Sequence, residues 1–128
     1  MRSTFMPLDH KTTLSLLKSK VQKFCEDRDW DKFHGAKDLA IGIITEASEL
    51  LEHFRFKDPS EVEQLFKTPK SKQKISEELA DILLFTLRLA QRYQIDITSE
   101  LNKKLKKNAR RYPIAKCKGK NKKYSELE

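Results

Sequence analysis

Glycine and proline are scarce in this chain of 128 residues: three Gly and four Pro leave few positions for tight turns, which disfavours many-stranded architectures and favours long helices on short connections. Cysteine is scarcer still. Cys25 and Cys117 stand far apart and belong to no C-x-x-C or Cys/His cluster, so they suggest neither a disulfide framework nor a zinc site. A reducing cytosol, and hence a cytoplasmic protein, is the expectation. Long apolar runs are also missing: the most apolar stretch, Ile82 to Ala90, is short and contains Arg88, which argues against a membrane span. The opening residues, Met1 to Pro7, lack the apolar region of a signal peptide. Acidic side chains are absent from Leu101 to Ser125, while Lys103, Lys104, Lys106, Lys107, Arg110, Arg111 and later lysines are present. The formal net charge of +8 is therefore concentrated in the C-terminal quarter, an anion-attracting surface.

What is present reads as helix. Thr12 or Thr13 is a suitable N-cap for a first helix with an apolar stripe at Leu14, Leu17, Val21 and Phe24. The following segment, Asp29 to Gly35, sets Trp30, Phe33 and His34 in a loop, where they either meet a ligand or tuck under the loop to close the core. Asp38 is the expected N-cap of a second helix running to about Phe56. A polar connection, Lys57 to Lys72, has room for a short helix over Ser60 to Phe66, and a third long helix is expected from Ser71 to Tyr93. Ile97, Leu101 and Leu105 begin a fourth helix that should end by Tyr112-Pro113. Together these predict an all-α four-helix bundle over residues 1–113, with 114–128 as a flexible basic tail.

Two carboxylate pairs carry the chemistry. Glu46-Ala-Ser-Glu49 and Glu78-Leu-Ala-Asp81 each place two acids three residues apart, on one side of a helix. With Ile43, Ala47, Leu50 and Phe54 as the core stripe of one helix and Ile75, Leu79, Ile82 and Thr86 as that of the other, both pairs fall on matching flanks. Four facing anions repel one another, and Mg²⁺ or Mn²⁺, which prefer oxygen ligands, would relieve that repulsion. Glu52, Glu61, Glu63 and Glu77 read instead as ordinary solvated acids. A ferritin-like di-iron site needs Glu-x-x-His, which the chain lacks.

The order Trp30-x-x-Phe33-His34, Glu46-x-x-Glu49, Glu77-Glu78-x-x-Asp81 and Asn108-x-x-Arg111-Tyr112-Pro113 resembles the MazG-like all-α nucleoside triphosphate pyrophosphatases, and among them the dCTP pyrophosphatase branch. The resemblance spans Leu14 to Pro113. It implies Mg²⁺-dependent hydrolysis of a nucleoside triphosphate, dCTP or a related or modified nucleotide, between the α- and β-phosphates, in service of nucleotide-pool cleaning. It implies Glu46, Glu49, Glu78 and Asp81 as metal ligands. Lys104, Asn108, Arg111 and Tyr112 would contact phosphates or sugar, and Trp30, His34, Phe56 and Phe85 would line an aromatic base slot. Phe56 stands where the family usually has Trp, and Phe85 where it usually has Tyr, so two hydrogen-bond donors are missing from that slot. Glu49, further round the flank than Glu46, is the expected general base.

The third long helix is apolar on more than one side, with Ala80, Leu84 and Leu87 off its stripe, which predicts cover by further subunits. Dimer and tetramer are both open, and the resemblance favours a tetramer. Two other classes of function compete. One is a basic nucleic-acid-binding module, ranked lower because no groove-reading motif is present. The other is a structural helical oligomer without catalysis.

Overall fold

The computed structural model of the chain describes residues 7–128. The opening stretch Met1–Met6, on which the leader reading rests, lies outside them. Among the described residues all regular structure is helical, as the sequence predicts. The helices are α1 (Leu14–Glu26), α2 (Ala36–Glu52), α3 (Pro59–Lys67), α4 (Pro69–Arg92), α5 (Ile97–Arg111) and the single turn α6 (Ile114–Cys117), with 3₁₀ segments at Asp31–Phe33 and Tyr124–Glu126.

Local chemistry explains most of the boundaries. Thr13 caps α1 by accepting the Leu16 amide at 3.1 Å, and Asp58 caps α3 by accepting the Glu61 amide at 2.9 Å. Pro59 and Pro69 open α3 and α4, at positions where a missing N–H is harmless. Asp96 caps α5 through the Ser99 amide at 3.0 Å.

The second helix departs from expectation at both ends. Its N-cap is Gly35 rather than Asp38, which sits in the first turn where a carboxylate suits the helix dipole. The reason is remote in sequence: the Tyr93 hydroxyl, at the end of α4, accepts the Ala36 amide at 2.8 Å and satisfies one of the orphan donors. At the other end α2 stops at Glu52, and the turn beyond it carries Phe56 with a left-handed φ of 64°.

The chain divides into two compact units, the first reaching Gln94 and the second spanning Ile95–Glu128. In the first unit α4 is the shared partner, packed most extensively along α2 and also against α1 and α3. The Ser71 hydroxyl ties the α3–α4 corner by hydrogen bonds to the Leu65 and Thr68 carbonyls, at 2.5 and 3.1 Å. Along the α2–α4 contact Gly42 meets the Phe85 ring so closely that a Cβ at position 42 would stand 2.6 Å from it.

Among the described residues, Cys25, Leu39, Ile75, Leu87 and Ala90 are the fully buried apolar ones, joined by Arg88. Of the predicted stripes Ile75 is buried, whereas Ala47 and Leu79 are exposed. Besides Ile75, the core of α4 is filled by Leu87 and Ala90, which the predicted stripe does not include. The physical reason is that α2 and α4 carry additional apolar residues, Ile41, Ile44, Leu51, Leu79 and Leu83, that remain exposed in the single chain, so the apolar surface of these helices is wider than their core face.

In the second unit, residues past Pro113, expected as a flexible basic tail, contain the α6 turn and the second 3₁₀ segment. The Tyr124 ring meets Tyr112 edge to face at 6.0 Å and lies under the Arg111 guanidinium at 4.7 Å. Cys117 Sγ donates to the Tyr112 carbonyl at 3.3 Å. Among the described residues no helix is long and apolar enough to cross a membrane.

Candidate functional site

The α2–α4 pairing brings acids from both helices together. Glu46 and Glu49, one turn apart on α2, and Glu78 on α4 each offer a carboxylate oxygen within 4.8 Å of the others. Glu46 is half-buried, and its Oε2 is fully shielded with no hydrogen-bond partner. Such an oxygen is costly unless a donor or a cation satisfies it.

Burial, first of all, raises the Glu46 pKa from 4.5 to about 7; a side-chain hydrogen bond to Glu49 and the charges of Glu49, Asp81 and Glu78 push the same way. Asp81, half-buried one turn beyond Glu78, thus acts on Glu46 through its charge but lies outside the three-oxygen group. His53, just past α2, places Nε2 3.4 Å from Glu78 Oε1. An all-oxygen donor set with surplus negative charge and one unsatisfied buried oxygen fits a hard divalent cation.

A second group is assembled by the 3₁₀ segment after α1. The Trp30 amide donates to the Cys25 carbonyl at 3.1 Å, closing the chain back on α1. The Trp30 ring then stands edge to face with Phe24 at 5.7 Å and with His34 at 6.0 Å, and stays 38% exposed. Trp30 and His34 are therefore neighbours, and the indole packs on Phe24 of α1 while part of its surface stays open. Phe33 is exposed under Lys32.

The remaining sequence-derived candidates belong to both units. Phe85 packs on Gly42, one turn from both Asp81 and, across the helix contact, Glu46. Phe56 is 90% exposed, with the Arg55 guanidinium 4.6 Å from its ring. Lys104, Asn108, Arg111 and Tyr112 belong to the second unit, the first three sharing a face of α5 and Tyr112 following it. A hollow along α1 and the turn after it, lined by Ser19, Lys20, Lys23, Phe24, Asp27 and Arg28, involves none of Glu46, Glu49, Glu78 and Asp81.

Sequence reasoning passed over His53's pairing with Glu78, Tyr124 beneath Arg111, and Arg88 with Asp31. A signal for Arg88 was present: it is the lone charge inside the apolar run Ile82 to Ala90.

The model of the MazG-like family matches residues 41–127, more than half of the chain. The chain is 31% identical to dCTP pyrophosphatase 1 of Homo sapiens over 126 residues, which is 98% of this chain and 72% of that protein. It is 32% identical to dCTP pyrophosphatase 1 of Bos taurus over 115 residues, covering 90% of this chain and 68% of that one. The crystal structure of a pyrophosphatase from Archaeoglobus fulgidus is similar with a TM-score of 0.73 at 29% identity, covering 87% of this chain and 99% of that chain. On a family match across the carboxylate helices, similarity to these relatives over 90% or more of this chain and a shared fold, the chain belongs to the MazG-like family.

Proposed function

We propose that this chain is a nucleoside triphosphate pyrophosphatase, a dCTP-diphosphatase-like hydrolase that cleaves between the α- and β-phosphates to give a monophosphate and pyrophosphate. The observation that carries the reading is the meeting of Glu46, Glu49 and Glu78 on two packed helices around a shielded, unpartnered carboxylate oxygen. The similarity to dCTP pyrophosphatase 1 supports dCTP, or a related or modified nucleotide, as substrate and nucleotide-pool cleaning as the role.

In this reading Glu46, Glu49, Glu78 and Asp81 hold Mg²⁺, with Mn²⁺ as a substitute. When bound, the ion offsets charge on the phosphate oxygens and makes water a better nucleophile. Glu49 is assigned as general base: it is exposed where Glu46 is half-buried, so its carboxylate is the more accessible acceptor for a proton from the attacking water. Lys104, Asn108, Arg111 and Tyr112 are assigned to the phosphates and sugar, the two cations balancing the pyrophosphate that leaves. Trp30, His34, Phe56 and Phe85 are assigned to the base. Residues 1–113 form the catalytic domain and 114–128 a basic appendage. The chain works as a homo-oligomer in the cytoplasm.

The test is pyrophosphate release from a panel of nucleoside triphosphates, in Mg²⁺ and in EDTA. Activity is expected in Mg²⁺ only, ranked with dCTP high. Glu49→Gln and Asp81→Asn, checked for folding, are expected to lose about 100-fold or more of kcat. Full activity in both variants would move the site elsewhere.

A further inference from the structure

Arg88 is fully buried on α4, at 0% exposure, and each of its three side-chain nitrogens donates a hydrogen bond. Nε donates to His34 Nδ1 at 3.0 Å, Nη1 donates to Gln91 Oε1 at 2.6 Å, and Nη2 donates to Asp31 Oδ1 in an ion pair. A guanidinium is all donor, never acceptor, and keeps its proton in proteins. The His34 Nδ1 facing it must therefore offer a lone pair. A neutral imidazole with its lone pair on Nδ1 carries its proton on Nε2, across the ring from Arg88.

The charges around His34 agree. Burial first, then Arg88 and Arg92, hold its pKa below the ordinary histidine value, while Asp31 and Asp38 oppose them less strongly. Asp31 is itself claimed by Arg88, with Arg92 3.7 Å away on its other oxygen.

We propose that Arg88 is a positioning residue that locks His34 as the neutral Nε2–H tautomer, a fixed hydrogen-bond donor to an acceptor atom on the base of a nucleotide lying against Trp30. This rests on the pyrophosphatase reading, and deepens it by naming what the base must offer: a carbonyl oxygen or an unprotonated ring nitrogen, since an exocyclic amine would meet donor with donor. Trp30 and His34 suit the task, with ring centroids 6.0 Å apart at an interplanar angle of 63° and part of the indole open to a planar ligand.

The decisive measurement is ¹⁵N-detected NMR of the imidazole nitrogens in the full chain, with His34 assigned by the His34→Gln variant. At pH 7 the His34 nitrogens are expected to show the Nε2–H pattern; an Nδ1–H pattern, or an imidazolium, overturns the proposal. In Arg88→Met the tautomers should mix and the ring should titrate at higher pH, and an unchanged pattern there also overturns it. Because the wild-type spectrum decides the tautomer alone, a failure of Arg88→Met to fold leaves the proposal testable. In turnover, Arg88→Met and His34→Gln are expected to raise KM for dCTP roughly three- to tenfold, the range of one hydrogen bond, with kcat little changed. A fall in kcat at constant KM contradicts the assigned role. If the wild type hydrolyses no nucleoside triphosphate, the pyrophosphatase reading fails while the spectrum still reports the tautomer.

Discussion

At Glu46 the metal-free protein holds a proton that the unfolded chain would release. Its folded pKa, about 7, lies above the ordinary 4.5, so this group adds stability that is fully present below about 4.5 and is lost as pH rises through about 7. Replacing it by Gln removes the dependence. Melting curves in EDTA from pH 5 to 8 should therefore show Glu46→Gln gaining on the wild type as pH rises and exceeding it by pH 8. Added Mg²⁺ should reverse the order, stabilising the wild type by mass action and leaving the variant unmoved. A variant that melts below the wild type at pH 8 in EDTA would mean that burial and repulsion at Glu46 are not what the geometry indicates. Little of this single-residue detail was legible in the sequence. The spacing of Glu46, Glu49, Glu78 and Asp81 announced a cluster, but which oxygen is shielded depends on how deeply α2 and α4 interpenetrate, and Gly42 against Phe85 sets that depth.

Helix by helix, the ends marked by a nearby side chain were readable. Thr13 is the N-cap of α1, and Thr13→Ala is expected to lower unfolding free energy by about 1 kcal/mol, measured by urea titration, with little change in the urea dependence. The start of α2 was not readable, because its first amide is satisfied by Tyr93, 57 residues away in sequence. The buried face of α4 was readable only in part, for a related reason: Ile75 lies in the core as its stripe predicts, and Leu79 does not. Periodicity marks which side of a helix is apolar, but cannot say which of two apolar sides is covered by the same chain, so Leu79 was assigned to the core while Leu87 and Ala90 fill it. Arg88 is legible in the sequence only as the charge that interrupts an apolar run. Its role depends on Asp31 and His34, which a different element delivers.

For the molecule as a whole, the uncovered side of α2 and α4 argues for association. Ile41, Ile44 and Leu51 recur on one side of α2, Leu79 and Leu83 on one side of α4, and Ile44 is 69% exposed. At roughly 1.5–3 kcal/mol per fully covered aliphatic side chain, these five are of the size needed to offset the loss of free tumbling, about 4–15 kcal/mol. The chain is expected to sediment as a dimer or tetramer, and Ile44→Glu to shift it toward monomer at micromolar concentration. A wild-type chain that sediments as a monomer would set this reading aside. One further consequence concerns time rather than shape. Since α1, α2 and α3 all lean on α4, the backbone N–H groups of Leu87, Arg88 and Ala90 reach solvent only when the unit opens entirely. Their deuterium uptake should trail that of the 53–56 turn by orders of magnitude and keep pace with global unfolding, making these few amides a clock for how often the protein comes apart.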